Sequence, residues 1–326
     1  KTRSRLQQIP AISLMVAKPL EWIQAARLRT LPLALACIAL GTALAADAGY
    51  FDLKRLALAV LTTLLYQVLS NYANDYYDWK KGTDAHRTHE QAGELRAVAS
   101  GRIAPQQMLL AVRLVAVLAL LAGGLLVWTS FDGSLRWLFF ALHGAAVWSA
   151  VNYVGGAATY GYRGWGDFFV LFFFGLVGVE GSFMVQTGQF SPWILLPGLS
   201  VGLLATGVLN LNNLRDLEPD RAVGKITVAA RLGARGARWY QTFLVVGAVA
   251  STLFFVLRGL PTCSRSYLFL AVVPLLYESV AATWKAQDRA ALDKLLKPLA
   301  LATFLFALAL GIGLLLDTDA CGKPLC

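Results

Sequence analysis

Residues 56–84 read LALAVLTTLLYQVLSNYANDYYDWKKGTD, an apolar run that becomes polar and acidic at its end. The apolar run has the length that an α-helix needs to cross about 30 Å of hydrocarbon at about 1.5 Å per residue. Carboxylates and amides are costly inside a bilayer and tend to be kept there for function. The stretch therefore predicts a membrane-spanning helix with a polar cluster at one end.

The rest of the chain repeats the apolar part of this pattern. Of 326 residues, 57% are hydrophobic and the mean hydropathy is +0.57, whereas soluble proteins average about 45–50% apolar residues. This composition argues against a water-soluble fold and predicts an all-α integral membrane bundle of about nine transmembrane helices. The apolar segments lie at 31–46, 56–79, 107–128, 135–154, 168–186, 193–214, 240–257, 267–284 and 299–316.

Basic residues set the expected orientation. Roughly 22 of the 29 Lys and Arg residues fall on the side of the amino terminus, and such residues concentrate in the cytoplasm. We therefore expect 1–30 to be a cytoplasmic and interfacial segment, 31–316 a single transmembrane domain and 317–326 a short outer tail. The expected compartment is the bacterial inner membrane. The net charge of +10 follows from this topology, so we expect no nucleic-acid partner.

The four cysteines give a smaller expectation. Cys37 lies in the first apolar segment, whereas Cys263, Cys321 and Cys326 fall on the outer side in this topology. An oxidising compartment would permit a disulfide between two of these three. The sequence leaves that pairing open. No spacing of Cys and His indicates zinc or haem.

The first polar cluster follows a helical repeat. The side chains that this repeat stacks along one face are Asn71, Asn74 or Asp75, and Asp78. Gly82 is expected to end the helix and to let Asp84 fold back toward the same face. Carboxylate and amide oxygens are the ligands that Mg²⁺ prefers. The cluster therefore predicts a magnesium site.

A second cluster ends the sixth apolar segment. Its members repeat every four residues and are Asn212, Asp216 and Asp220. Pro219 disfavours helix at the residue before it, so the helix is expected to stop near Asp220. Solvated helix ends are the alternative interpretation, but capping explains one acid or amide per helix and not several. The predicted site is at the cytoplasmic side, between the two clusters.

Basic residues near the clusters suit a phosphorylated ligand. Those expected to neutralise a diphosphate are Arg96, Arg102, Arg215 and Lys225. Lys225 is the first choice, because it follows the second cluster by five residues. The alternative for each is an ordinary loop charge on the cytoplasmic side.

At these residues the chain closely resembles the UbiA superfamily of intramembrane aromatic prenyltransferases, which carry two Asp-rich motifs at the cytoplasmic ends of the second and sixth of nine helices. Within it, the chain is most similar to the 1,4-dihydroxy-2-naphthoate branch of menaquinone synthesis. The segments that carry this similarity are 27–32 (RLRTLP), 71–84, 155–166 with YGY at 160–162, and 213–216 (NLRD) leading to Gly224 and Lys225. The chain departs from that pattern at 94–95, Ala157 and Ile226.

The resemblance implies transfer of a polyprenyl group from polyprenyl diphosphate to 1,4-dihydroxy-2-naphthoate, with loss of CO2 and diphosphate, giving demethylmenaquinol. The implied Mg²⁺ ligands are Asn71, Asn74, Asp78, Asp84, Asn212, Asp216 and Asp220. The implied catalytic residues are Asp78, Asp216, Asp220 and Lys225. The implied substrate-binding residues are Arg96, Arg102, Tyr160, Tyr162, Arg163 and Arg215. Arg163 would hold the carboxylate of the acceptor.

Other functions remain open to the sequence. A different aromatic acceptor, such as 4-hydroxybenzoate, would use the same clusters. A cation-coupled transporter would place its acids near the bilayer midplane in broken, repeated helices, and a CDP-alcohol phosphotransferase would carry them in one long motif. Prenyl chain length, oligomeric state and the role of Glu180 are not fixed. The histidines, expected to be structural or solvated, are His86, His89 and His143.

Overall fold

The computed structural model describes residues 17–82, 96–156, 159–259 and 265–321, with side chains up to 317. Every regular element in these ranges is helical. The α-helices are α1 (Pro19–Ala25), α2 (Leu31–Asp47), α3 (Leu53–Lys80), α4 (Pro105–Ser130), α5 (Gly133–Asn152), α6 (Gly166–Val170), α7 (Gly181–Thr187), α8 (Leu195–Arg215), α9 (Leu217–Ala222), α10 (Val228–Gly259), α11 (Val273–Lys285) and α12 (Arg289–Cys321). A π-helical segment, Leu171–Glu180, joins α6 to α7. Short 3-10 turns cover Leu28–Thr30, Tyr160–Arg163, Pro192–Ile194 and Arg265–Val272.

Within the described ranges, 8 helical segments are long and apolar enough to cross a membrane. They are Pro19–Asp47, Leu53–Lys80, Pro105–Ser130, Gly166–Thr187, Pro192–Arg215, Val228–Arg258, Arg265–Lys285 and Arg289–Asp317. The other predicted span corresponds to α5, whose 20 residues match the hydrocarbon thickness. Arg136 and His143 make α5 less apolar. The prediction of an all-α membrane bundle is confirmed.

A side-chain cap begins α3, the helix that carries the first cluster, and a glycine ends it. Asp52 Oδ1 accepts hydrogen bonds from the amides of Lys54 at 2.7 Å and Arg55 at 3.2 Å, which caps the first turn. The bonds from the Arg55 and Lys54 amides hold the pKa of the Asp52 carboxyl below its ordinary value. At the other end Gly82 has φ +73° and donates its amide to the Trp79 carbonyl at 3.0 Å. The expected helix end before Gly82 is confirmed.

The second cluster lies at a break between two helices. α8 ends at Arg215, and Asp216 has φ −96° and ψ 16° before α9 begins. Pro219 lies in the first turn of α9, where its missing N–H breaks no hydrogen bond. The expectation that Pro219 stops the helix near Asp220 is therefore wrong. The break falls one turn earlier, and Asp220 lies inside α9.

The central helix of the bundle is α8, which packs against α10, α12 and the π-helical segment. A Cβ on Gly175 would lie 2.7 Å from the Gly198 carbonyl oxygen and 2.8 Å from the Gly202 Cα. These glycines therefore let α8 and the π-helical segment approach closely, as small residues do in membrane proteins. On the outside, Trp137 is 70% and Phe243 67% exposed, which gives the bundle an apolar surface suited to lipid.

Candidate functional site

The two polar clusters meet through Tyr162. Asp78 pairs with Arg96 at 2.5 Å and accepts a hydrogen bond from the Tyr162 hydroxyl at 3.1 Å. The Tyr162 ring centroid lies 5.9 Å from the Lys225 ammonium, which is 2.9 Å from an oxygen of Asp220. Asp78 is 3% exposed and Asp220 is 0% exposed. The chain of contacts from Arg96 to Asp220 therefore joins two charged groups that are shielded from solvent.

The Tyr153 phenol is acted on by negative charges from both clusters. Burial, reinforced by the negative charges of Asp167, Asp220 and Asp78, raises the pKa of Tyr153 above its ordinary value. One phenol therefore lies within the field of a carboxylate from each cluster. A Cβ on Gly161 would lie 2.6 Å from the Tyr153 carbonyl oxygen, so a residue with a side chain at 161 could not hold this turn over Tyr153 without a shift.

The structure gives different roles to Asn74 and Asp75, which are neighbours in the first cluster. The Asp75 carboxylate accepts hydrogen bonds from the backbone amides of Ala97 at 2.9 Å and Val98 at 3.0 Å. Asp75 therefore anchors the segment that begins at 96. Asn74 lines a cavity, and its Oδ1 is buried and makes no hydrogen bond with the part of the chain that the structure describes. Of the two, Asn74 is thus the residue whose side-chain oxygen is available to a ligand.

A network of ion pairs holds the second cluster. Asp216 is 2% exposed and accepts from Arg215 Nε at 3.0 Å, Arg215 Nη2 at 2.6 Å and Arg289 Nη2 at 2.8 Å. Arg215 Nη2 also donates to Asn212 Oδ1 at 2.8 Å, and Nη1 donates to Asp293 at 2.5 Å. Arg215, predicted to bind a diphosphate, is instead surrounded by acceptors from its own chain.

A cavity of about 350 Å³ extends from the clusters into the bundle. Its polar end includes Arg27, Arg29, Asn71, Asn74 and Asn212. Its apolar and aromatic wall includes Leu126, Phe139, Phe173, Phe174 and Val177. A largely apolar cavity with a few convergent polar groups is the usual form of a ligand site. This cavity suits a ligand with a charged head and an apolar tail.

Asn71 and Tyr160, two of the predicted residues in the cavity wall, are held by hydrogen bonds. Asn71 donates from Nδ2 to the Ala26 carbonyl at 2.8 Å, which fastens the turn after α1 to α3. Tyr160 donates its hydroxyl to the Ser149 carbonyl at 2.9 Å and stacks on Phe169 with ring centroids 4.1 Å apart. Burial raises the pKa of Tyr160 above its ordinary value, so the phenol stays neutral beside the cavity.

The other predicted residues that the structure describes do not line this cavity: Asp78, Arg96, Arg102, Tyr162, Arg163, Arg215, Asp216, Asp220 and Lys225. Arg102 donates to Ser100 Oγ at 2.9 Å and to Gln24 Oε1 at 2.5 Å. Arg163 is exposed and is not among the described residues that line the cavity. Asp84 lies outside the described residues, as do His86 and His89. Their predicted roles stay predictions.

Mg²⁺ is the metal that the resemblance implies, and the residues fit it. Among the described residues, no group of three or more His, Cys, Asp and Glu side chains is placed to hold a metal ion. Mg²⁺ does not need such a cage, since it commonly takes one or two carboxylates and completes its shell with water and substrate phosphate. Asn74, Asp78 and Asp220 offer only hard oxygen donors, and the Asn74 oxygen is buried without a hydrogen bond from the described chain.

Sequence reasoning missed the cations of the cavity and the start of α12. Arg27 and Arg29 line the cavity because the chain reverses at Arg27, which has φ 51°. This left-handed conformation is uncommon outside glycine, and no helical period predicts it. Asp293 is 78 residues from its partner Arg215 in the sequence, so no helical spacing predicts that contact. The available signals were the arginines of the 27–32 segment and the acids in a loop otherwise rich in Lys and Arg.

The clusters lie at helix ends. Asp78 is in the last turn of α3, and Asp216 directly follows α8. A cation-coupled transporter predicts acids near the middle of broken helices. The placement therefore disfavours that interpretation.

These features define an integral membrane protein with a charged site at the end of an apolar cavity. The UbiA prenyltransferase family matches residues 34–305, and the chain belongs to this family. The resemblance seen at the two clusters is thereby confirmed. Relatives named 1,4-dihydroxy-2-naphthoate octaprenyltransferase come from Haemophilus influenzae and Escherichia coli, each 38% identical over 90% of this chain and 96% of the relative. A relative of the same name from Mycobacterium tuberculosis is 37% identical over 89% of this chain and 94% of its own length.

Solved structures share the fold. The apo structure of a UbiA homolog from Aeropyrum pernix aligns with a TM-score of 0.62 at 15% identity, covering 90% of this chain and 98% of the homolog. A UbiA homolog from Archaeoglobus fulgidus, bound to GPP and Mg2+, aligns with a TM-score of 0.57 at 16% identity, covering 90% and 99%. At these identities the likeness establishes the architecture alone.

Proposed function

We propose that the protein transfers a polyprenyl group from polyprenyl diphosphate to 1,4-dihydroxy-2-naphthoate, with loss of CO2 and diphosphate, in menaquinone biosynthesis. The product would be demethylmenaquinol. The observation that carries the proposal is the meeting of the two clusters through Tyr162 and Lys225, next to an apolar cavity that Asn74 and Asn212 of the same clusters line. Three relatives that align over about 90% of the chain and bear the corresponding name support the choice of substrates.

The clusters would hold the diphosphate head group. Bound Mg²⁺ supplies positive charge to the diphosphate oxygens, with Asn71, Asn74, Asp78, Asp84, Asn212, Asp216 and Asp220 as its proposed ligands. Lys225, whose ammonium lies 2.9 Å from Asp220, would stabilise the negative charge that develops on the leaving diphosphate as the allylic C–O bond breaks. Arg96, paired with Asp78 at 2.5 Å, offers a guanidinium to the phosphate oxygens.

The cavity would shield the allylic cation and orient the acceptor. Its apolar wall would exclude water, and Tyr153 in that wall is the candidate to offer a π-face to a cation, since the Tyr160 ring already stacks on Phe169. The ring carbon that bears the acceptor carboxylate forms the new C–C bond. The bond to the carboxylate then breaks, its electron pair restores the aromatic ring, and CO2 leaves. Arg27 and Arg29 are better placed than the exposed Arg163 to hold that carboxylate.

Product analysis tests this proposal. Purified protein in detergent receives Mg²⁺, a polyprenyl diphosphate and equal amounts of 1,4-dihydroxy-2-naphthoate and 4-hydroxybenzoate. Mass spectrometry is expected to find a prenylated, decarboxylated naphthoquinol, and EDTA is expected to abolish it. Product from 4-hydroxybenzoate alone would overturn the proposed acceptor, and a prenylated naphthoate that keeps its carboxylate would overturn the proposed chemistry.

We also infer that residues 31–316 form one transmembrane domain in the bacterial inner membrane, with the amino terminus cytoplasmic and the carboxyl terminus outside. The distribution of basic residues supports this orientation. Alkaline phosphatase fused to the carboxyl terminus is expected to be active. An inactive fusion beside an active one at the amino terminus would reverse the assignment. The outer cysteines, Cys263 and Cys326 among them, lie outside the described side chains.

A further inference from the structure

The start of α12 carries two charged residues to which the proposed chemistry gives no part. Asp293 pairs with Arg215 at 2.5 Å and with Arg29 at 3.4 Å. Arg289 donates to Asp216 Oδ1 at 2.8 Å and to the Arg215 carbonyl at 3.1 Å. These contacts connect the last helix both to the second cluster and to an arginine of the cavity wall.

Because Asp293 is present, Arg215 forms ion pairs with two carboxylates, those of Asp216 and Asp293. The Arg215 side chain is 8% exposed, and its donors point at Asp216, Asn212 and Asp293. A guanidinium has five N–H donors in a fixed fork, so its acceptors determine its orientation. With Asp293 present, Nη1 of Arg215 faces α12, whereas Nε and Nη2 face the second cluster. Asp293 therefore fixes the angle at which Arg215 presents Asp216 and Asn212 to the site.

Removing the charge of Asp293 would change the second cluster in a definite direction. Arg215 would keep Asp216 as its remaining carboxylate partner and would attract it more strongly, since a buried guanidinium needs a compensating negative charge. A metal ion or a substrate cation competes with Arg215 for the same Asp216 oxygens. The predicted result is weaker binding of Mg²⁺ at the second cluster. Arg29 would also lose its ion pair with Asp293 beside the cavity.

The alternative role for Asp293, docking α12 to the bundle, is already filled by apolar contacts. Leu292, Leu296 and Leu299 on α12 are 6%, 5% and 0% exposed, and α12 packs along α2 and α8. These apolar contacts also dock α12, so docking alone does not account for the pairing of Asp293 with two arginines.

We infer that Asp293 is a positioning residue for the diphosphate site: by pairing with both Arg215 and Arg29 it orients the second cluster for Mg²⁺ and holds a cation in the cavity wall. This inference rests on the Mg²⁺ and diphosphate part of the proposed function. It does not depend on which aromatic acceptor is used.

The chain offers a matched control for this test. Asp288 lies five residues before Asp293, is exposed, and caps α12 by accepting from the Ala291 amide at 2.7 Å. Asp288→Asn removes the same charge as Asp293→Asn and keeps the cap, since Asn caps helices as well as Asp does. Asp293→Glu restores the charge at a slightly different distance.

Binding of a non-ionising geranyl S-thiolodiphosphate is measured by calorimetry across a Mg²⁺ series, with melting temperature and turnover recorded for each full-length variant. Asp293→Asn is expected to raise the Mg²⁺ concentration for half-maximal binding by about tenfold, in line with other residues that orient metal ligands. Asp293→Glu is expected to recover part of this loss, and Asp288→Asn to behave like wild type.

A wild-type Mg²⁺ dependence in Asp293→Asn, or an equal change in Asp288→Asn, would overturn the inference. If Asp293→Asn does not fold, Asp293→Glu decides: a raised Mg²⁺ requirement supports the inference and an unchanged one overturns it. Wild-type protein that binds the analogue with Mg²⁺ but prenylates no naphthoate would contradict the proposed acceptor only, because the binding comparison does not use it.

Discussion

Asp78→Asn is expected to lower the rate of prenyl transfer by about 10²–10³-fold, the range seen when one group that stabilises developing charge is removed. The amide keeps the shape of the carboxylate and can still accept from Tyr162 at this position. It removes the negative charge that pairs with Arg96 and that would bind Mg²⁺. Steady-state turnover with saturating prenyl diphosphate measures the loss, and a thermal melt in the same detergent reports whether the variant is folded.

The matched control for Asp78 is Asp132→Asn. The Asp132 side chain is 96% exposed and pairs with Arg136 at the start of α5, so the same chemical change there should leave turnover at the wild-type level. Asp78→Glu keeps the charge and should retain part of the activity. Turnover of Asp78→Asn within about threefold of wild type, at an unchanged melting temperature, would remove Asp78 from the catalytic residues.

Lys225→Met is expected to lower turnover by about 10²-fold, because it removes the cation that would meet the charge on the leaving diphosphate. It also leaves the fully buried Asp220 without its ammonium partner, and breaking a buried pair costs about 3–5 kcal/mol of stability. The single variant therefore confounds catalysis with stability. Turnover and melting temperature are both needed.

A double variant separates the two effects of Lys225. Lys225→Met with Asp220→Asn removes both charges, so it should regain most of the stability and yet turn over more slowly than Asp220→Asn alone. Lys285→Met, at an exposed position ending α11, controls for loss of a lysine. Should the folded double variant turn over at the rate of Asp220→Asn alone, Lys225 would be a structural partner of Asp220 and nothing more.

Much of the fold and part of the site followed from local sequence. Hydropathy marked the spans because a helix in lipid must be apolar along its length. The helical period placed Asp78 with its neighbours on α3, and Gly82 marked the end of that helix. These features depend on residues at most a few turns apart, so the linear sequence contains them.

The choice among polar neighbours depended on distant segments. Asn74 and Asp75 are adjacent, and only the packing of the backbone at Ala97 and Val98 assigns Asp75 to an anchoring role. Arg215 likewise looked available for phosphate until Asp293, from the last helix, was seen to bind it. Side-chain partners that come from elsewhere in the bundle leave no periodic signal.

Buried polar groups within the spans also needed the structure. Glu180, whose role the sequence left open, accepts from the Ser191 amide at 2.9 Å and so stabilises the turn after α7. His143 hydrogen-bonds the Tyr66 hydroxyl, as the expected structural role requires, and both side chains line the cavity. The π-helical form of Leu171–Glu180 was not predictable, because π and α hydrogen bonding share one apolar pattern.

The central claim is that both clusters act on one prenyl diphosphate, and the most direct measurement is calorimetric binding of geranyl S-thiolodiphosphate to wild type, Asp78→Asn and Asp220→Asn, each with Mg²⁺ and with EDTA. We predict that EDTA abolishes binding to wild type and that each variant, from either cluster, binds at least about tenfold more weakly. Binding that persists in EDTA, or that weakens in only one of the two folded variants, would contradict the account.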